Sequence, residues 1–247
     1  MHHPDARRRA PSRRAGVLTI VAMAATIAIS AAAVWAQALP IEETAKTQAT
    51  NAAAVYSLKS GSYYLSRNIL VKGAKNAINV TSPNVSIDFH GYSIIGKSLA
   101  AGVGVYGPGQ SGLTIQNGNI QGMVGGGVVV GPDSSVRSMH ITSSGPGIVG
   151  GSSCLIEDNT VTGSTSGDGI SAAGVIRSNV SDGNAGNGIT AGANSSIMGN
   201  EASGNSGVGI AMQSSDGFSN NVINGGTTVS GGVDAGGNVC NGSATCP

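Results

Sequence analysis

A short phrase, Gly-x-Gly followed by Ile or Val, returns along the chain at nearly constant intervals. It reads Gly102-Val103-Gly104-Val105, Gly125-Gly126-Gly127-Val128 and Gly145-Pro146-Gly147-Ile148. It continues as Gly167-Asp168-Gly169-Ile170, Gly186-Asn187-Gly188-Ile189 and Gly207-Val208-Gly209-Ile210. Successive starts lie 23, 20, 22, 19 and 21 residues apart. A repeat of this length marks a solenoid, in which each coil buries its apolar side only against its neighbours.

Further columns keep the same phase. Ile87, Ile115, Val136, Ile156, Ile176, Ile197 and Phe218 recur every 20 or 21 residues after one long first step of 28. Asn159, Asn179, Asn200 and Asn221 stand three residues after the last four of these, and Gly163, Gly183, Gly204 and Gly225 follow each Asn by four. Inside a coil, apolar residues alternate with small or polar ones, as in Val85-Ser86-Ile87 and Leu113-Thr114-Ile115, which is the period of a strand. Gly makes up 40 of the 247 residues, roughly twice the usual share of about 7%. Without a Gly-x-y period, that composition fits a turn-rich β fold. Gly at fixed offsets allows bends that a Cβ would obstruct, and stacked Asn side chains can bond along a ladder. The columns therefore predict an all-β solenoid of about seven coils, right-handed like nearly all parallel crossovers.

The Asn column, the Gly-x-Gly-Ile/Val phrase and the Ile column together resemble a right-handed parallel β-helix of the pectate-lyase-like superfamily, secreted bacterial type. The stretches Gly61-Ser62-Tyr63-Tyr64-Leu65 and Asn84-Val85-Ser86-Ile87-Asp88-Phe89-His90-Gly91-Tyr92 also resemble the first coils of such proteins. The resemblance spans about residues 55–240. It implies a fold and not an activity, because one fold hosts many functions.

Residues 1–38 read as a signal peptide. Five arginines between Arg7 and Arg14 precede an apolar run from Val17 to Trp35, and Ala36-Gln37-Ala38 offers a small-x-small cleavage site. The rival reading is an uncleaved anchor, since the run is long enough to span a membrane. With cleavage, the expected location is secreted or periplasmic, with no membrane attachment afterwards. Residues 39–55 are expected to be a cap or linker, with a short helix presenting Ile41, Ala45, Ala49 and Ala52 on one side. The β-helix domain is placed at 56–239, and 240–247 form a tail. Residues 96–112, containing Gly107-Pro108-Gly109, read as a loop extending from one bend.

The net charge of +1 and a charged fraction of 10% suggest no broad basic face for nucleic acid. Cys240 and Cys246 bracket five residues, a spacing that suggests a disulfide loop in an exported protein. Cys154 reads as buried packing, and no metal or cofactor site is suggested. His90-Gly91 is similar to the His-Gly pair of polygalacturonases but falls in the turn of an early coil. Arg137, Glu157 and Arg177 each follow an inward apolar residue, so they should stack outward on successive rungs. A surface ladder explains them at least as well as a strip for a polyanion. Asp158, Asp168 and Asp182 share no column, so no paired-carboxylate site is evident, although a glycosidase needs one. If there is chemistry, Arg177 with Glu157 and Asp158 is its densest ionisable group. Binding residues are sought in Arg137, Tyr64, Tyr92 and Tyr106, since aromatic rings stack on sugars. The expectation is a non-catalytic glycan-binding or structural surface module whose partner is a polysaccharide. The alternative is a lyase or glycoside hydrolase acting on an acidic polysaccharide.

Overall fold

The computed structural model describes residues 38–41, 54–100, 102–142 and 144–246. Ala38–Pro247 form a compact unit of their own. A single apolar core runs through it from Ile41 to Cys240. Residues 1–37 of the expected signal peptide and 42–53 of the expected cap or linker lie outside the described residues, and Ala54–Leu58 is already a strand. Of that segment, Leu39–Pro40 is a strand, paired in parallel with Tyr63 and Tyr64.

The unit is a parallel β-solenoid with three faces. The first carries strands such as Gly61–Tyr64, Val85–Asp88, Cys154–Glu157 and Gly174–Arg177. The second carries Ile69–Lys72, Thr160–Thr162 and Val180–Asp182. The third carries Asn76–Val80, Val103–Gly107, Gly126–Val130 and their successors. Thr114–Met123 and Ser135–Thr142 run unbroken from the first face into the second and join those faces into one sheet.

Every inward column is stacked in register. On the first face Ile87, Ile115, Val136, Ile156, Ile176, Ile197 and Phe218 are successive Cα partners. On the second, Ile69, Ile94, Ile120, Ile141 and Val161 lead into the smaller Ser181 and Ala202, then Ile223. The third face aligns the apolar ends of the Gly-x-Gly phrase: Val105, Val128, Ile148, Ile170, Ile189 and Ile210. The second Gly of the phrase is needed for close approach. A Cβ on Gly127 would lie 2.6 Å from the Gly147 carbonyl oxygen and 2.6 Å from Ile141. The equivalent atom on Gly147 would overlap Val161, and on Gly209 it would overlap Ile223. The third face therefore packs backbone against the side chains of the second.

The nine strands of the third face count about nine turns, against about seven expected. Three of the nine strands, those of Tyr56 and Ile78 at one end and of Val229 at the other, lack the Gly-x-Gly phrase. The long step of 28 is also corrected. Residues 96–112 are not one loop, because they contain Val103–Gly107, a full strand of the third face. The seven extra residues are spread over three places. Asp88 to Ser93 uses two more residues than Gln116 to Asn119, and Ile95 to Ala100 three more than Gln121 to Met123. Gly107 to Thr114 uses two more than Val130 to Ser135.

The bend between the first and second faces is held by the expected Asn ladder. Each carboxamide is buried and fully used. Asn179 Oδ1 accepts from the Asn159 backbone N–H (3.0 Å) and from Asn159 Nδ2 (2.9 Å). Asn179 Nδ2 donates to the Ile156 and Arg177 carbonyls, both 2.9 Å, and to Asn200 Oδ1 at 3.0 Å. The pattern passes to Asn221 and ends on Asn238, a fifth rung. A left-handed residue precedes each Asn and turns the chain: Asp158, Ser178, Gly199, Asn220 and Gly237 all have φ between 55° and 75°. The other bends have smaller ladders. Asn184 and Asn205 bond in the same way after the second face. Ser195 Oγ accepts from the Gly174 N–H, and Asp216 Oδ1 from the Ser195 N–H, before the first face.

Asn200→Ala is expected to lower unfolding free energy by about 2–4 kcal/mol, because it strands the Asn179 N–H and the Ile176 carbonyl in a buried bend. Chemical denaturation followed by circular dichroism measures this. Ile176→Asp should leave no folded protein, since an unpaired charge would sit in the core.

Candidate functional site

With the interior filled, chemistry is confined to the outward side chains. On the first face, one outward column runs Tyr64, Asp88, Gln116, Arg137, Glu157, Arg177 and Met198 as successive Cα partners. Neighbouring rungs are about 4.8 Å apart, so each side chain reaches the next.

Two connected groups result. In the first, Arg137 Nε donates to Gln116 Oε1 at 2.8 Å, and Gln116 Nε2 donates to Asp88 Oδ2 at 2.8 Å. Asp88 Oδ2 also accepts from Asn117 Nδ2 at 3.1 Å, and Oδ1 accepts the His90 backbone N–H at 2.8 Å. Asp88 thus closes the longer bend of its coil, in which His90 is left-handed with φ 49°. That bend lays the His90 imidazole against Tyr64, with ring centroids 4.9 Å apart and an interplanar angle of 26°. Nε2 of His90 is 3.9 Å from Asp88 Oδ2. The second group is the pair Glu157–Arg177. Arg177 Nε and Nη2 both donate to Glu157 Oε2, at 2.9 and 2.5 Å. The Arg177 side chain is 49% exposed and that of Glu157 14%. Arg137 turns away from Glu157, toward Gln116.

Partial burial pushes the Asp88 carboxyl up, but the His90 N–H, the two carboxamides and the His90 imidazole outweigh it, so its pKa lies below the ordinary 3.8. A depressed carboxylate stabilises the fold above its unfolded pKa and loses that contribution as pH falls through the folded value.

The acids of the sequence do not converge. Asp158 is the left-handed residue of the Asn bend, and its side chain faces solvent. Asp168 accepts from the Asn187 N–H and the Thr190 hydroxyl across the neighbouring bend. Asp216 is buried and accepts two backbone N–H groups, of Ser195 and Gln213. Among the described residues no three His, Cys, Asp or Glu side chains gather as metal ligands. Cys154 is buried, and that burial pushes its thiol up. Cys240 and Cys246 are bonded to each other, with Cα atoms 5.2 Å apart.

The four binding candidates of the sequence fall on different surfaces. Tyr64 and Arg137 share the first face. Tyr92 is exposed at the start of the second. Tyr106 points out of the third face, beside a recess of about 250 Å³ lined by Asn79, Thr81 and Gln110. Sequence reasoning left Gln116 and Asn117 out of the site and gave His90 a structural role. The signal was the step of 28 from Ile87 to Ile115, which also carries Asp88 onto Gln116. A cleft of about 290 Å³ on the second face, lined by Ser93, Asn119, Gln121 and His140, was also missed.

No protein-family model matches the chain, and no curated protein matches it. Among solved structures the chain is similar to the A-module of a mannuronan C-5 epimerase from Azotobacter vinelandii. Identity is 14%, over 76% of this chain and 67% of that one, with a TM-score of 0.42. A likeness this distant assigns neither activity nor ligand.

Arg177→Ala should cost at most about 1 kcal/mol, because the Arg177 end of the pair is half exposed and screened. Its denaturation midpoint should stay close to that of the parent. Asp88→Asn should be less stable than the parent at neutral pH. That deficit should shrink as pH falls below about 3.8; thermal melts across pH check the convergence.

Proposed function

We propose that the protein is an exported, non-catalytic glycan-binding module, and that the first face around Tyr64 and His90 holds the sugar chain. The observation that carries this is the stacked Tyr64–His90 pair beside a bonded row of Asp88, Gln116 and Arg137 on successive rungs. A ring pair supplies a flat apolar platform with polar edges. The amides, carboxylate and guanidinium beside it offer donors and acceptors at a repeat set by the solenoid, which suits a polymer lying along the axis.

The alternative, a lyase or glycoside hydrolase, draws less support from the geometry. Glu157 is bonded to Arg177, Asp168 and Asp216 hold backbone at bends, and Asp158 turns the chain. A hydrolase needs two carboxyl groups flanking one bond, and each of these acids already has a structural partner or position.

A panel of neutral and acidic polysaccharides, tested for binding by calorimetry and for turnover by reducing-end release, separates the two readings. Tyr64→Ala is expected to weaken binding up to about tenfold, from the ~0.5–1.5 kcal/mol of a ring contact. Arg137→Ala should weaken it less. Release of product by the parent, abolished in Glu157→Gln, would overturn the non-catalytic reading. Export predicts that protein from the cell envelope begins at Leu39, which intact mass measures.

A further inference from the structure

Charge is unevenly distributed along the solenoid. Residues 54–132 hold five cations, Lys59, Arg67, Lys72, Lys75 and Lys97, against one acid, Asp88, a net of +4. Residues 133–246 hold two arginines against eight acids, a net of −6. The one acid of the first part is already engaged by Gln116, Asn117 and His90 on the first face.

Two of these cations stack on the second face. Lys72 and Lys97 are direct Cα partners on adjacent rungs, and both are exposed. Like charges facing each other across a ladder are destabilising. Where the first face stacks charges it alternates their sign, as in Glu157–Arg177; here the signs match, and no ion pair to either lysine is found among the described residues. The fold gains nothing from this arrangement. Beside the lysines, two residues back along the same strands, Leu70 and Ile95 are partners on the same outward side. Leu70 is 50% exposed. The patch thus joins a pair of unneutralised ammonium groups to a pair of aliphatic side chains, with Lys75 just beyond it in sequence.

We propose that this Leu70–Ile95 and Lys72–Lys97 patch docks the domain onto an anionic lipid surface. Lysine clusters are drawn to acidic headgroups, and neighbouring aliphatic side chains enter the boundary between headgroups and chains. A soluble polyanion would satisfy the lysines but would leave Leu70 in water. The acidic later coils are repelled by the same surface, so the first coils face the lipid. The contact proposed is peripheral, and no helix among the described residues is long and apolar enough to cross a membrane.

The test uses residues 38–247, which enclose their own core, with vesicles of phosphatidylcholine alone or mixed with phosphatidylglycerol. Cosedimentation is expected with the mixed vesicles only, and it should fall with added salt as the charges are screened. Lys72→Ala and Lys97→Ala should each weaken it about fivefold. Leu70→Ser should weaken it while leaving the salt dependence unchanged. Circular dichroism confirms that each variant is folded. Equal binding to both vesicle types would overturn the proposal, as would binding unchanged in the double lysine variant. Capture by soluble dextran sulfate without capture by vesicles would also overturn it and assign the patch to a polymer.

Discussion

A stack of short coils must turn its backbone three times per circuit without leaving buried N–H and C=O groups unpaired. That requirement controls this structure more than apolar burial does. Strands satisfy their own backbone through the ladders, but bends do not. Here the deficit is met by side chains that repeat with the coil. Asn is suited to this because one carboxamide both accepts and donates. Asn179 and Asn200 each bond the coil before and the coil after. The same bonds fix the register, so the Ile column of the first face and the Gly-x-Gly column of the third cannot slip independently. Gly at the close-packed positions then lets the third face approach the second.

Because the interior is assigned to packing and the bends to ladders, function is restricted to outward columns. Those columns are not alike. The first face carries bonded, sign-alternating polar groups and one aromatic stack. The second carries a matched pair of lysines beside exposed aliphatic groups. The third is nearly devoid of charge. Of the nine acids among the described residues, Asp88, Asp133, Asp158, Asp168, Asp216 and Asp234 sit at bends, so few are left to form a carboxylate pair. The lowered Asp88 shows the same economy: its carboxyl closes a bend and anchors the Gln116–Arg137 row at once.

The solenoid, its apolar columns and the main Asn ladder were legible in the sequence because each repeats with a constant period. What was not legible broke the period. Asn238 follows Asn221 by 17 residues instead of 21, so the fifth rung was overlooked. The terminal coils lack the Gly-x-Gly phrase, so two turns were not counted. Asn184 and Asn205 did keep the period, five residues after Asn179 and Asn200, and were readable from that offset. The site was harder. Asp88 and Gln116 follow from the same step of 28 that pairs Ile87 with Ile115, whereas the stacking of Tyr64 on His90 depends on the left-handed bend at His90. Residue type alone joined Tyr64 and Tyr106, which the coil sends to different faces.

The Asn bends are part of the cooperative core. Native-state hydrogen exchange addresses it residue by residue. The backbone amides of Asn159, Asn179, Asn200 and Asn221 each donate to a carboxamide on the next rung. They are predicted to exchange only by global unfolding, with the same free energy as the amides of Ile156 and Ile176. Exchange as fast as in the exposed Cys240–Cys246 loop would contradict the account and would leave the solenoid held by its apolar columns alone.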